Sequence, residues 1–266
     1  AIYLGWLALD FGASYIAPVA ENRATPRRLI ALGLILLAAS VFLLGPSRML
    51  DGLPAIITIL AIPVCVISLT EQTFLVPNVS ASFLNRGILR SSSRYILYPG
   101  WQSGIWYTLL LYLIAAASVF IIDTRDTLHI LTVITVVFST FIFPLAITKL
   151  FFSKKHLFTT YLSVTLAIAV LSLVTFVVIG ITNVKGIALF MCWLPPVQLY
   201  LYFEARPSFY SGRSSSFSYE FIFGLAVISF AINWFICFIR SIPEWQSIGK
   251  NEQVTRTMLA NISNDS

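Results

Sequence analysis

Long apolar runs separated by short polar ones make up almost the whole chain. The runs lie at about 1–19, 29–46, 53–70, 104–122, 128–148, 158–180, 186–203 and 220–239. Each comes close to the ~20 residues that a helix needs to cross a bilayer. Lipid offers no partner to an unpaired backbone N–H or C=O, so helices are the expected form. The period-two alternation of a lipid-facing barrel strand is absent. The pattern predicts an all-α fold, a polytopic transmembrane helix bundle of about eight spans. Its parts would be three N-terminal helices in 1–70, a cytoplasmic interfacial segment in 71–103, a five-helix bundle in 104–240 and a polar C-terminal tail in 241–266.

Composition explains why lipid must be the solvent. Hydrophobic residues make up 58% of the chain and charged residues 11%. A soluble domain carries roughly a quarter charged residues, so this chain has too few to cover a surface in water. Cys65, Cys192 and Cys237 sit in apolar runs without a CxxC pair, which reads as small core hydrophobes and not as a zinc site or a disulfide framework. The first run opens at Ala1 with no basic stretch before it. It does not read as a signal peptide, and a missing N-terminal part or an offset in numbering is expected.

The polar connections give an orientation. Under eight spans, one side receives Arg23, Arg27 and Arg28, then Arg86, Arg90 and Arg94, then Lys149, Lys154 and Lys155, then Arg206 and Arg213. The connections on the other side hold only Arg48, Arg125 and Lys185. The positive-inside rule puts the richer side in the cytoplasm, and the tail with Arg240, Lys250 and Arg256 then falls outside. The net charge of +6 reflects topology and anionic lipid and calls for no nucleic acid. Trp101, Trp106, Tyr107, Tyr200, Tyr202, Phe203 and Trp245 flank the runs and read as interfacial anchors.

Residues 71–103 form the one long connection. Asn78 can cap a helix that runs from Val79 to Tyr98, stopped by Pro99-Gly100. Arg86, Arg90 and Arg94 recur every four residues and share one stripe, while Phe83, Leu84, Ile88 and Leu97 can face lipid. Two readings stay open: a basic loop that fixes topology, or an elbow helix that couples a cytoplasmic partner to the spans.

Polar groups inside apolar runs are candidate sites, because a charge in hydrocarbon is costly. Asp10 either lies at depth, paired or hydrated, or reaches the interface beside Arg23 or Arg27. Gln198 follows Pro195-Pro196, a pair that removes two backbone donors and must kink or break the helix. Glu71 closes the third run and reads as a boundary charge or a partner contact. No GxxxxGK[ST], HExxH or GxSxG occurs, and His129 and His156 fall on opposite sides. The chain is therefore read as having no catalytic, cofactor-binding or metal-ligating residues and as no enzyme.

The run Val66 to Glu71, the stretch with Arg86, Arg90 and Arg94, and the segment Tyr98-Pro99-Gly100-Trp101-Gln102-Ser103-Gly104 resemble the membrane subunits of the type-2 ABC-exporter permease class. In that class an interfacial elbow helix precedes about six spans and a separate ATPase docks on the cytoplasmic side. An outside C-terminus and a larger number of spans depart from it. The resemblance implies a transport subunit in the bacterial inner membrane, a cytoplasmic ATPase subunit as partner, and a homo- or heterodimer. A non-catalytic scaffold or assembly factor, or a fragment of a membrane-embedded transferase, are the alternatives.

Overall fold

Backbone groups without water must bond within their own segment, and the apolar runs accordingly become helices. The computed structural model describes residues 2–16, 24–45, 50–71, 92–121, 127–152, 157–182, 191–205 and 219–264. Among them lie α1 (Ile2–Ile16), α2 (Ala24–Leu44), α3 (Leu53–Thr70), α4 (Ser92–Leu97), α5 (Trp101–Ile121), α6 (Thr127–Phe151), α7 (Leu157–Thr182), α8 (Pro195–Ala205) and α9 (Tyr219–Asn264). Six of these are long and apolar enough to cross a membrane: α2, α3, α5, α6, α7 and α9. The helix assignment continues through Pro63 and Pro144.

The central layer is α3, α5, α6 and α9. Its core holds Leu53, Ile57, Leu69, Leu111, Phe138 and Ile142, all buried. Tyr112 links three helices at mid-height, with its ring 4.5 Å from Phe230 and 5.6 Å from Phe138. The outer faces of α2 and α7 stay apolar and exposed, as Leu37, Leu44, Leu166 and Leu173 illustrate. Such surface suits lipid.

Two of the eight expected spans differ from the rest. The run 1–19 yields α1, whose 15 residues reach ~22 Å at 1.5 Å per residue. Tyr3 of α1 donates to the carbonyl of Leu60, midway along α3, at 2.9 Å. The run 186–203 is not one helix, because residues 191–194 form a turn and α8 begins at Pro195. Proline lacks the N–H that an interior position requires and suits a first turn instead. Leu194 donates to the carbonyl of Met191, and Val197 and Gln198 donate to the carbonyl of Leu194.

The depth of α8 follows from its neighbours. Leu194 and Val197 pack with Phe143, Val164 and Ile168, well inside α6 and α7. At its other end Leu201 and Tyr202 pack with Ile179 and Ile222, where α7 ends and α9 begins. Tyr202 also lies 5.9 Å from His129, at the start of α6. The 11-residue helix thus starts inside the bundle and rises to the end where α7 finishes, covering ~16 Å.

This reverses α9 relative to expectation. Glu244 of α9 lies 3.9 Å from Lys149 at the end of α6, and Trp245 packs on Tyr95 and Tyr98 at 5.1 and 6.1 Å. Lys149 in turn sits over the ring of Trp101, whose N–H bonds the carbonyl of Glu71. Residues near 244 therefore share an end of the bundle with Glu71, contrary to the expected opposite side. The polar segment after 240 continues α9, which is 46 residues of continuous helix to Asn264, and Ile248 is buried against Tyr98. Two expected lipid anchors, Trp101 and Tyr107, are buried between helices.

One contact fixes the central crossing. A Cβ on Gly104 of α5 would overlap the backbone oxygen of Ser68 on α3. The backbones can approach only because that atom is missing, as small residues allow between membrane helices. Gly104→Ala is expected to destabilise the protein by about 3 kcal/mol, the upper range for overpacking, whereas Gly33→Ala, with open space around it, leaves stability unchanged or slightly raised. Thermal unfolding of both variants in detergent checks this. A second expectation concerns the reversal of α9: in a background without native cysteines, single cysteines at positions 88 and 256 are labelled from the same face of intact membranes. Labelling from opposite faces contradicts the arrangement.

Candidate functional site

A buried cluster of charge lies at the end of the bundle shared by the start of α2, the end of α3 and the turn before α5. Arg27 and Arg28 sit in the first turns of α2 and are 2% and 0% exposed. Glu71 directly follows α3 in extended conformation. Arg28 Nη2 donates to Glu71 Oε2 at 2.7 Å, and Arg27 Nη1 donates to Glu71 Oε1 at 3.0 Å. Arg27 Nε also donates to Asp10 Oδ2 on α1. Two cations and two carboxylates thus balance.

Removal of four charges from water is tolerable only when their remaining donors and acceptors are satisfied. Arg28 carries most of this load. Its Nη1 donates to the carbonyls of Ile96 (2.6 Å) and Tyr98 (3.1 Å) and to Ser103 Oγ (2.7 Å). Its Nη2 also reaches the carbonyl of Gly100 at 3.1 Å. The guanidinium lies 5.6 Å from the centroid of the Tyr107 ring, and the Tyr107 hydroxyl donates to the Arg28 carbonyl at 2.9 Å. One side chain therefore gathers the end of α4, the following turn and the first turn of α5.

The helix ends add to the balance. A cation at a helix N-terminus and a carboxylate at a C-terminus each oppose the local macrodipole. Here α2 begins where α3 ends, so each charge also faces the favourable end of the other helix. Pro99 and Gly100 complete the arrangement. Gly100 takes φ = +130°, a conformation open to glycine, and its N–H donates to Glu71 Oε2 at 3.2 Å. Ser103 Oγ donates to the carbonyls of Tyr98 and Gly100. Thr25 Oγ1 donates to the carbonyl of Leu97 at 2.9 Å. The segment from Tyr98 to Gly104 is thereby clamped to α2 and α3 through specific atoms.

Asp10 and Glu71, singled out by sequence, are thus brought together, and Arg27 is the partner of Asp10. Sequence reasoning placed Arg27 beside Asp10 as one alternative, but used Arg28 only to orient the chain and missed that both arginines bind Glu71. The available signal was a doubled arginine before one apolar run and a single glutamate closing the next. Gln198, Pro195 and Pro196 belong to α8, a separate location. Gln198 is fully buried; its Nε2 donates to the carbonyl of Cys192 at 2.9 Å, and its Oε1 has no partner among the described residues. Arg86 and Arg90 lie outside the described residues; Arg94 falls on α4, with its side chain outside them too.

Comparisons with protein-family models, with curated proteins and with solved structures find no match for this chain.

The ion cluster predicts a double-mutant cycle. Glu71→Gln leaves two buried arginines without their shared carboxylate and is expected to cost about 3–5 kcal/mol. Arg28→Met also destabilises. The double variant is expected to cost clearly less than the sum, because a coupled pair is removed together. Unfolding in detergent for the wild type, both single variants and the double measures the coupling, and additivity contradicts a direct pair.

Proposed function

We propose that this protein is a permease-like transport subunit of a multi-pass kind, driven by ATP hydrolysis on a separate cytoplasmic chain. The observation that carries this reading is α8, a helix that begins inside the bundle. Irregular backbone at membrane depth is tolerated only where protein covers it or where it lines a hydrated cavity. Broken helices that start near mid-depth are a recurrent way to build a substrate path. Gln198, with a buried amide oxygen lacking a described partner, is the polar group that such a path would use. Pro195 and Pro196 hold the break in place.

Two departures from the type-2 ABC-exporter permease pattern also shrink. Six candidate spans among the described residues compare with about six, and the part of α9 near Glu244 shares the end of the bundle with Lys149 and Glu71. Taken as cytoplasmic, this end gathers Arg27, Arg28, Lys149, Arg240, Lys250 and Arg256. That concentration of basic residues accords with the positive-inside rule. In this reading α1 supplies a partial span, and α4 is the last part of the interfacial helix predicted over 79–98. Its arginine stripe faces headgroups or the ATPase, and the Arg28 clamp passes displacement of the connector to α2, α3 and α5.

The test is purification of the tagged full chain from its native host in mild detergent. A P-loop ATPase is expected to co-purify in stoichiometric amount and to hydrolyse ATP. Joint replacement Arg86→Glu, Arg90→Glu and Arg94→Glu is expected to remove most of that ATPase while the chain itself stays in the membrane. An absence of ATPase, or its full retention by the triple variant, contradicts this reading.

A further inference from the structure

A cleft of about 290 Å³ opens between the end of α6 and the middle of α9, at the level of Lys149 and Trp101. Lys149 and Arg240 line it together with Glu244. The three charges leave one net positive. Lys149 is held over the indole of Trp101, 3.7 Å from the ring centroid, and 3.9 Å from Glu244. Its ammonium is thus positioned by two neighbours, and Arg240 stands exposed on the adjoining helix.

The hydroxyl of Thr148 supplies an independent sign. Hydroxyls on these helices commonly donate to the carbonyl four residues earlier, as in Thr132, Thr135, Thr165 and Thr175. Thr148, like Ser68 and Ser139, does not: its Oγ1 is buried without a hydrogen-bond partner among the described residues, and of these three residues it is the one that lines this cleft. A buried donor left unused is costly, and a bound acceptor relieves that cost. Just beyond, Leu150 and Phe151 are 40% and 76% exposed. That is apolar surface directly beside the charged lining of the cleft.

We propose that this cleft holds the phosphate of an anionic phospholipid. The phosphodiester takes the Thr148 hydroxyl as a donor and matches the single net charge of Lys149, Arg240 and Glu244, while its acyl chains lie along Leu150 and Phe151. Basic pockets between membrane helices bind anionic headgroups by this combination of charge and hydrogen bonding. The site is separate from the Arg28 cluster and from α8. It requires only that the bundle be embedded in lipid, so it stands or falls apart from the transport reading.

Native mass spectrometry of the full chain in detergent, titrated with phosphatidylglycerol or with phosphatidylcholine of the same acyl chains, tests the proposal. One saturable phosphatidylglycerol is expected, retained more tightly than phosphatidylcholine. Arg240→Gln, an exposed substitution that spares the Lys149 contacts, is expected to weaken it roughly fivefold, the factor given by about 1 kcal/mol of attraction per charge. Thr148→Val is expected to weaken it as well, and neither variant changes the weaker phosphatidylcholine adducts. Equal retention of the two lipids overturns the proposal, as does unchanged phosphatidylglycerol binding in both variants. Displacement of the lipid by millimolar inorganic phosphate, with no dependence on acyl chains, assigns the cleft to free phosphate and overturns the lipid assignment.

Discussion

The Arg28–Glu71 pair is the constraint on which the rest of this end of the molecule depends. Its partners come from three distant parts of the chain: the start of α2, the end of α3 and the turn from Tyr98 to Gly100. Buried charge tolerates little displacement, because each lost hydrogen bond leaves a desolvated group behind. The pair therefore acts on geometry more than on net stability. It sets where α5 starts and brings Gly104 against the backbone of Ser68. It also places Trp101, over which Lys149 is held, and Lys149 meets Glu244 of α9. One ion pair is thus linked through named contacts to the far end of the sequence.

Hydropathy made the six long helices legible, with boundaries within a few residues at α3, α5 and α6. The same measure misjudged 1–19 and 186–203, because it counts apolar residues and carries no information on depth. A half-helix packed inside a bundle is as apolar as a full span. Pro195-Pro196 marked the position of the break, but a proline pair can mean a kink within a crossing helix or the start of a new one. Neighbours on α6 and α7 decide between these, and they are tertiary. Trp101 and Tyr107 failed for a related reason: an aromatic beside a basic loop fits the lipid interface, and only packing reveals that Lys149 and Arg28 have claimed their ring faces.

The candidate site was legible in part. Asp10 and Glu71 stood out because isolated carboxylates in apolar sequence are costly. Arg27 was one of two arginines placed beside Asp10, but the pairing of Glu71 with Arg27 and Arg28 was not legible, since the two resemble any basic loop and Glu71 lies 43 residues away from Arg28. The segment from Tyr98 to Gly104, which carried the family resemblance, turns out to hold the turn that Arg28 clamps. Three residues there meet different demands, Gly100 through its positive φ, Ser103 through its hydroxyl and Gly104 through close approach. None of these three demands was read from the sequence, because each depends on atoms of α2 and α3 that only the fold brings near.

A single element that enters and leaves by the same end changes the direction of everything after it. Because α8 returns to the end where α7 finishes, α9 runs toward the Arg28 cluster instead of away from it. Its 46 residues amount to ~70 Å of helix, more than twice the ~30 Å of hydrocarbon. The surplus is at the connector end, where Trp245 and Ile248 pack on Tyr98. In the proposed orientation the connector, the clamp and the extension of α9 all face the cytoplasm. A partner bound there touches elements that contact α2, α3, α5 and α6 directly. The break at Pro195-Pro196, deep in the bundle, thus determines which end of the molecule the extension of α9 reaches.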